Sequence, residues 1–180
     1  VDNTMATPWI CRPFEWGADL VVHSTTKFLS GQGNAMGGIV IDSGRFPWLG
    51  NVKYPSLSEP CPDYNGLTFA ETFGDLAFTL YSHAVSLRDL GCSQSPMNAW
   101  ITLNGVETLP LRMERHVENA MEVARFLQGH EAVEWVSYAG LSSSPYHQLA
   151  KKYLEGKAGS VFTFGIRGGY ESGLRILENV

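Results

Sequence analysis

Short apolar runs separated by glycine and hydroxyl residues indicate β-strands in the first part of the chain. The run Leu20–Val22 predicts a buried parallel strand, and Ile39–Ile41 predicts a second strand beyond a glycine-rich segment. The first residues, Val1–Thr4, look like the end of another strand. We therefore expect Val1–Thr4 and the strand at Leu20 to lie side by side in one sheet.

A helical period replaces this pattern in the middle of the chain. Helices are predicted over residues 75–90, with Gly91 as the stop, and over residues 96–104, with Ser95 as the N-cap. The longest helix is predicted over residues 107–129. Its apolar stripe consists of Leu109, Met113, Val117, Ala120, Val123, Ala124 and Leu127. Its charged residues are expected to face solvent, and they are Arg112, Glu114, Arg115, Glu118 and Glu122.

The last third of the chain alternates between strand and helix signals. Strands are predicted over 133–138 and 160–166, and helices over 145–153 and from about residue 172. This order is typical of a small α+β unit.

The proline-rich segment 50–74 has no long periodic pattern. Loops of this length are usually functional or interfacial. Its aromatic residues, Tyr54, Tyr64 and Phe69, either line an entrance or a subunit contact, or pack within the loop. The sequence leaves both alternatives open.

Composition excludes several classes of function. The net charge of −5 argues against a nucleic acid or an anionic membrane as partner, and no apolar run has the length of a membrane span. Three widely spaced cysteines, Cys11, Cys61 and Cys92, fit reduced thiols at buried or half-buried positions better than disulfides or a metal site. We therefore expect a cytoplasmic globular protein without a bound metal.

Lys27 lies between the end of a strand and a glycine-rich turn, where α/β sheets place their chemistry. It is either a surface lysine, part of an S-x-x-K acyl-enzyme motif beginning at Ser24, or a Schiff-base lysine for pyridoxal phosphate (PLP). The partner motifs S-D-N and K-T-G are absent, which disfavours the second interpretation. The hydroxyls of Ser24 and Thr26 alternate along the chain and are suited to a phosphate. Asp2, at another strand end, supplies a carboxylate for a pyridine nitrogen.

Several stretches carry a resemblance to one family. VDNT at the start, GADLVVHSTTKFLSGQG around Lys27, and the later stretches ETFG, LRDLG, LRMERHVENA and YAGLSSSPYH resemble the Cys/Met-metabolism family of fold-type I PLP enzymes. The resemblance covers nearly the whole chain. The middle segments are more similar to the O-acetylhomoserine sulfhydrylase branch than to the cystathionine lyase and synthase branches.

The resemblance implies an α/β fold of fold type I, similar to aspartate aminotransferase, with a three-layer PLP-binding domain. Residues 1–105 would form the later part of that domain. Residues 106–180 would form a linking helix and the first part of a smaller α+β C-terminal domain. The chain would then be an internal fragment, inactive alone, of a homotetramer built from dimers with shared active sites.

The resemblance also implies the chemistry. Lys27 would form the Schiff base with PLP, Asp2 would hold the pyridine nitrogen, and Ser24 and Thr26 would anchor the phosphate. The implied reaction converts O-acetylhomoserine and sulfide to homocysteine and acetate, in methionine and cysteine biosynthesis. The alternatives are a cystathionine synthase, an O-succinylhomoserine sulfhydrylase, a methionine or cystathionine lyase, or an inactive structural fragment without cofactor.

Overall fold

A short antiparallel strand pair carries the glycine-rich segment of the chain. In the computed structural model, which describes residues 1–179, strand β1 (Leu20–Ser24) pairs with strand β2 (Gly38–Asp42), with Ser24 opposite Gly38. Asp2 pairs with Val22 in a parallel bridge, so the predicted parallel neighbour of the β1 strand is confirmed. Strands β1 and β2 run antiparallel to each other, because the chain between them reverses direction.

The residues after β1 form a wide helical turn, Thr25–Leu29, hereafter the lysine turn. The Ser30 N–H donates to the Thr25 carbonyl at 3.0 Å, and the Gly31 N–H donates to the Lys27 carbonyl at 2.8 Å. Lys27 itself departs from helical geometry, with φ −87° and ψ −121°. The turn therefore presents Lys27 directly beyond the end of a strand.

Three short helical elements make up about half of the segment 50–74. They are α2 (Pro55–Ser58), a 3₁₀ turn at Pro62–Tyr64 and α3 (Phe69–Phe73). They follow α1 (Thr7–Ile10) in the chain. Helices α2 and α3 contribute side chains to a buried cluster of Trp48, Leu57, Phe69, Ala70 and Ala77.

The aromatic residues of this segment contact one another. The rings of Tyr64 and Phe69 meet edge to face with centroids 5.3 Å apart, and Tyr54 meets Trp48 in the same way at 5.3 Å. Such pairs stabilise a core beyond the area they bury. The geometry therefore supports packing within the segment as the role of these side chains.

The two predicted middle helices are present, with local differences. The first is built from α4 (Ala77–Tyr81), a wide turn at Ser82–Leu87 and α5 (Arg88–Leu90). Gly91 ends it with φ +72°. The second is α6 (Pro96–Glu107), which is longer than the predicted 96–104. The Ser95 hydroxyl accepts a hydrogen bond from the Asn98 N–H at 3.1 Å, so the predicted N-cap is confirmed.

Helix α7 (Leu109–Gln128) joins the two halves of the chain. Met113 is fully buried and forms a cluster with Ile10, Leu29 and Leu109, which connects α1, the lysine turn and α7. Val123 belongs to the apolar stripe read from the sequence, yet its side chain is 48% exposed.

A second antiparallel pair follows, formed by β3 (Val133–Ser137) and β4 (Thr163–Ile166). Helix α8 (His147–Leu154) lies between them in the chain, and α9 (Gly169–Asn179) follows β4. The predicted α+β order is therefore present. The predicted boundary at residue 105 falls inside α6, and the division into domains 1–105 and 106–180 stays a prediction.

All three cysteines are free thiols. Cys11 and Cys61 are half-buried, whereas Cys92 is exposed, so the prediction of a buried or half-buried position is wrong for Cys92.

Across residues 1–179, no helix combines the length and the apolar character that a membrane span requires.

Candidate functional site

The two faces of β1 differ in exposure. Val21 and His23 are each 2% exposed, whereas Val22 between them is 40% exposed. Alternate residues of a strand point to opposite faces, so Val22 and Ser24 share the open face. Asp2 is the bridge partner of Val22 and therefore lies on the same face. The sheet thus brings the predicted Asp2 and Ser24 together.

Lys27 follows this face directly. It is exposed, and no ion pair of the described residues includes it. Asp2 is exposed as well, and Ser24 is half-buried. A carboxylate and a hydroxyl therefore share the open face of β1, and an exposed primary amine follows three residues beyond Ser24.

Thr4 connects two of these groups and was missed by the sequence analysis. Its N–H donates to Asp2 Oδ1 at 2.9 Å, and its hydroxyl oxygen accepts from the Ser24 N–H at 2.8 Å. The hydroxyl and N–H of Thr4 hold the pKa of Asp2 below its usual value. The Asp-x-Thr spacing is the available signal, because an Asp side chain commonly bonds the backbone two residues on.

His23 occupies the buried face, as strand alternation predicts. Its Nδ1 is buried without a hydrogen-bond partner. Burial lowers the pKa of His23, and the charge of Asp2 opposes this effect without outweighing it. His23 is therefore a neutral packed side chain beside the site.

Thr26 is arranged differently from Ser24. Because it lies in the lysine turn, strand alternation no longer determines where its hydroxyl points. That hydroxyl accepts from the Gly37 N–H at 3.0 Å and lies 3.3 Å from the Gly37 carbonyl, to which it donates. Thr26 therefore ties the lysine turn to the glycine-rich segment, and its phosphate contact stays a prediction.

Arg112 is a second residue whose place the sequence analysis missed. It was expected on a solvated face, but its guanidinium reaches the lysine turn and is partly buried there. Burial lowers the pKa of Arg112. Local helix periodicity contains no signal for this contact, because its acceptors lie on a distant part of the chain.

The chemical groups of Asp2, Ser24 and Lys27 fit pyridoxal phosphate. A Schiff-base lysine, a carboxylate for the ring nitrogen and hydroxyl donors for the phosphate are the protein groups that this cofactor requires. Asp2, Ser24 and Lys27 supply one of each. Residues 1–179 contain no group of three or more His, Cys, Asp or Glu side chains arranged to hold a metal ion.

Comparison with known proteins gives the same family throughout the chain. Residues 1–180 match the family described as Cys/Met metabolism PLP-dependent enzyme. An O-acetyl-L-homoserine sulfhydrylase of Leptospira meyeri is 49% identical over 100% of this chain and 42% of its own length. A homocysteine synthase of Schizosaccharomyces pombe is 45% identical over 99% of this chain and 42% of its own length. The chain thus spans less than half the length of these relatives.

A solved structure shows the same fold. A protein of Campylobacter jejuni, named as an O-acetylhomoserine (thiol)-lyase and containing N'-pyridoxyl-lysine-5'-monophosphate, matches with a TM-score of 0.92. It is 39% identical, and the match covers 98% of this chain and 44% of that one. The expected fold-type I α/β fold is confirmed, and so is the expected cofactor class. The chain belongs to the Cys/Met metabolism PLP-dependent enzyme family.

Proposed function

We propose that the protein containing this chain replaces the acetoxy group on Cγ of O-acetylhomoserine with sulfide, giving homocysteine and acetate. The observation that carries the proposal is that Asp2 and Ser24 share the open face of β1, with Lys27 three residues beyond Ser24 in the lysine turn. The substrate assignment is supported by relatives named O-acetyl-L-homoserine sulfhydrylase and homocysteine synthase.

Each of these residues has a proposed role. PLP, when bound, supplies an electron sink for the carbanion that forms on the substrate. Lys27 holds the cofactor covalently until the substrate amine displaces it, and its freed amine then moves protons at the substrate Cα and Cβ. Asp2 keeps a proton on the ring nitrogen. Ser24 donates a hydrogen bond to the phosphate, and Thr26 does so by turning its one hydroxyl proton from the Gly37 carbonyl to the phosphate.

Thr4 supports this assignment of Asp2. A carboxylate must be ionised to retain a proton on a neighbouring pyridine nitrogen. The hydrogen bonds from Thr4 lower the pKa of Asp2 and so favour the ionised form. Because Thr4 also accepts from the Ser24 N–H, the same residue holds the two ends of the proposed cofactor site in register.

Borohydride reduction of the complete protein with PLP, followed by peptide mapping, tests the proposal. We expect the pyridoxyl label on Lys27. Lys53 is the internal control, because it is an exposed lysine outside the site. A label on Lys53, or on no lysine, would contradict the assignment.

A competition assay tests the substrate. The complete protein receives O-acetylhomoserine with equal concentrations of sulfide and cysteine, and we expect homocysteine as the main product. Equal formation of cystathionine would instead indicate a cystathionine synthase. In separate incubations, cleavage of methionine or cystathionine without either synthesis would indicate a lyase. Preference for O-succinylhomoserine over O-acetylhomoserine would indicate an O-succinylhomoserine sulfhydrylase.

We further propose a cytoplasmic homotetramer built from dimers with shared active sites. The exposed apolar side chains of α6 support an assembly, since Met97, Trp100 and Leu103 are 62%, 61% and 66% exposed. The three free thiols are compatible with a reducing compartment. Light scattering of the complete protein measures the mass, and a monomer would contradict the proposed assembly.

A further inference from the structure

The guanidinium of Arg112 binds the end of the lysine turn. Its Nη1 donates to the Phe28 carbonyl at 2.9 Å, and its Nη2 lies 3.5 Å from the Leu29 carbonyl. Phe28 and Leu29 are the two residues that follow Lys27. Hydrogen bonds from a charged donor are stronger than those between neutral groups. Arg112 therefore holds the backbone immediately beyond the proposed catalytic amine.

The same guanidinium also binds the junction between α6 and α7. Arg112 Nη2 donates to the Gly105 carbonyl at 2.6 Å, and Nε donates to the Thr108 hydroxyl at 3.1 Å. One side chain thus connects the lysine turn, the end of α6 and the first turn of α7. The fork of an arginine suits this task, because its donors have fixed relative directions.

Two glycines make room for this arrangement. A Cβ atom on Gly31 would lie 2.7 Å from both Cζ and Nη1 of Arg112. A Cβ atom on Gly105 would lie 2.5 Å from the Leu29 carbonyl oxygen and closer still to the Ser30 carbonyl oxygen. Both positions therefore require glycine for α6 and the guanidinium to approach the turn so closely.

The end of a helical turn leaves carbonyl groups without a partner inside the turn. In the lysine turn, Ser30 and Gly31 satisfy the carbonyls of Thr25 and Lys27. The last two carbonyls, those of Phe28 and Leu29, accept hydrogen bonds from the Arg112 guanidinium instead. Without this side chain the two carbonyls would need water as a partner, and the end of the turn would be held only by the packing of Leu29 and by its contact with α6.

We propose that Arg112 is a positioning residue that fixes the lysine turn, and through it the amine of Lys27. The inference rests on the role proposed above for Lys27. Arg112 does not touch the reacting atoms in this arrangement, and it acts through the backbone of the next two residues. A displacement of about 1 Å at a reacting group can cost roughly 100-fold in rate.

The variants Arg112→Met and Arg112→Lys of the complete protein test the inference, with Arg125→Met as the control. Arg125 is exposed near the end of the same helix. Amide hydrogen exchange of peptides spanning residues 25–34 is measured without cofactor, and kcat and KM are measured with it. In Arg112→Met we expect faster exchange in this peptide, a roughly 10- to 100-fold lower kcat and little change in KM.

Arg112→Lys should give intermediate values, because one ammonium replaces only part of the fork, and it decides the question if Arg112→Met does not fold. Exchange and kcat equal to those of Arg125→Met would overturn the inference. So would an equal rise of exchange in strand β3, because it would indicate general destabilisation. A wild-type protein without a label on Lys27 would refute the proposed function instead, whatever the exchange data show.

Discussion

The contact between Gly37 and the lysine turn gives a prediction that can be worked from distances. A Cβ atom on Gly37 would lie 2.6 Å from Thr25 Oγ1 and 2.7 Å from the end of Gln94. The first distance is about 0.8 Å below the 3.4 Å at which ordinary contact begins. The φ of Gly37 is not positive, so steric overlap is the only cost of Gly37→Ala.

The overlap with Thr25 is hard to relieve. Thr25 is 4% exposed, and its N–H donates to the Gly37 carbonyl at 3.0 Å. Gln94 can swing away, because the end of its side chain is flexible. Overpacking of a dense site costs about 1–3 kcal/mol. We therefore expect the free energy of unfolding to fall by that amount, and PLP to bind more weakly because the Thr26 hydroxyl shifts with Gly37.

The neighbouring glycine is a matched control. A Cβ atom on Gly38 would meet only the His23 carbonyl oxygen, at 3.5 Å, which is an ordinary contact. Gly38→Ala should therefore be neutral or slightly stabilising. Denaturant unfolding gives the stability of each variant, and equilibrium dialysis gives the PLP dissociation constant.

A double variant tests the cause. The Thr25 hydroxyl is buried without a hydrogen-bond partner, so Thr25→Ala breaks no hydrogen bond of this side chain and costs only the packing of its methyl group. Thr25→Ala should therefore restore much of the stability and PLP affinity that Gly37→Ala loses. If Gly37→Ala is as stable as Gly38→Ala, or if Thr25→Ala gives no recovery, the steric reasoning is wrong.

Three further predictions concern single side chains. Tyr138→Phe should lower the free energy of unfolding by about 1–3 kcal/mol, since the 2.7 Å hydrogen bond to the Gly159 carbonyl is lost in a buried site; unchanged denaturation would contradict this. Burial lowers the pKa of His23 from 6.5, so the unfolded chain takes up a proton first as the pH falls. Stability should then decline below about pH 6.5 and level off below the native pKa, with a smaller decline in His23→Gln. Asp2→Asn should retain PLP but turn over far more slowly, because a neutral amide does not keep the ring nitrogen protonated; equal turnover would remove Asp2 from the site.

Local signals in the sequence determined most of the elements. The Ser95 cap, the stop at Gly91 and the long helix α7 were all predictable, because each depends on residues within one or two turns. The position of Lys27 beyond a strand was predictable for the same reason. The parallel bridge between Asp2 and Val22 followed from placing both segments in one sheet.

Contacts between distant residues were decided only by the tertiary structure. Arg112 has the local pattern of a solvated charge, yet it binds the carbonyl of Phe28, which lies 84 residues away in the chain. Thr4, which binds Asp2, accepts a hydrogen bond from Ser24, 20 residues further along the chain. Val123 is exposed although it fits the apolar stripe of its helix. Periodicity shows which side chains share one face of an element. It contains no information on what packs against that face, and this is why the residues that hold the lysine turn emerged only from the fold.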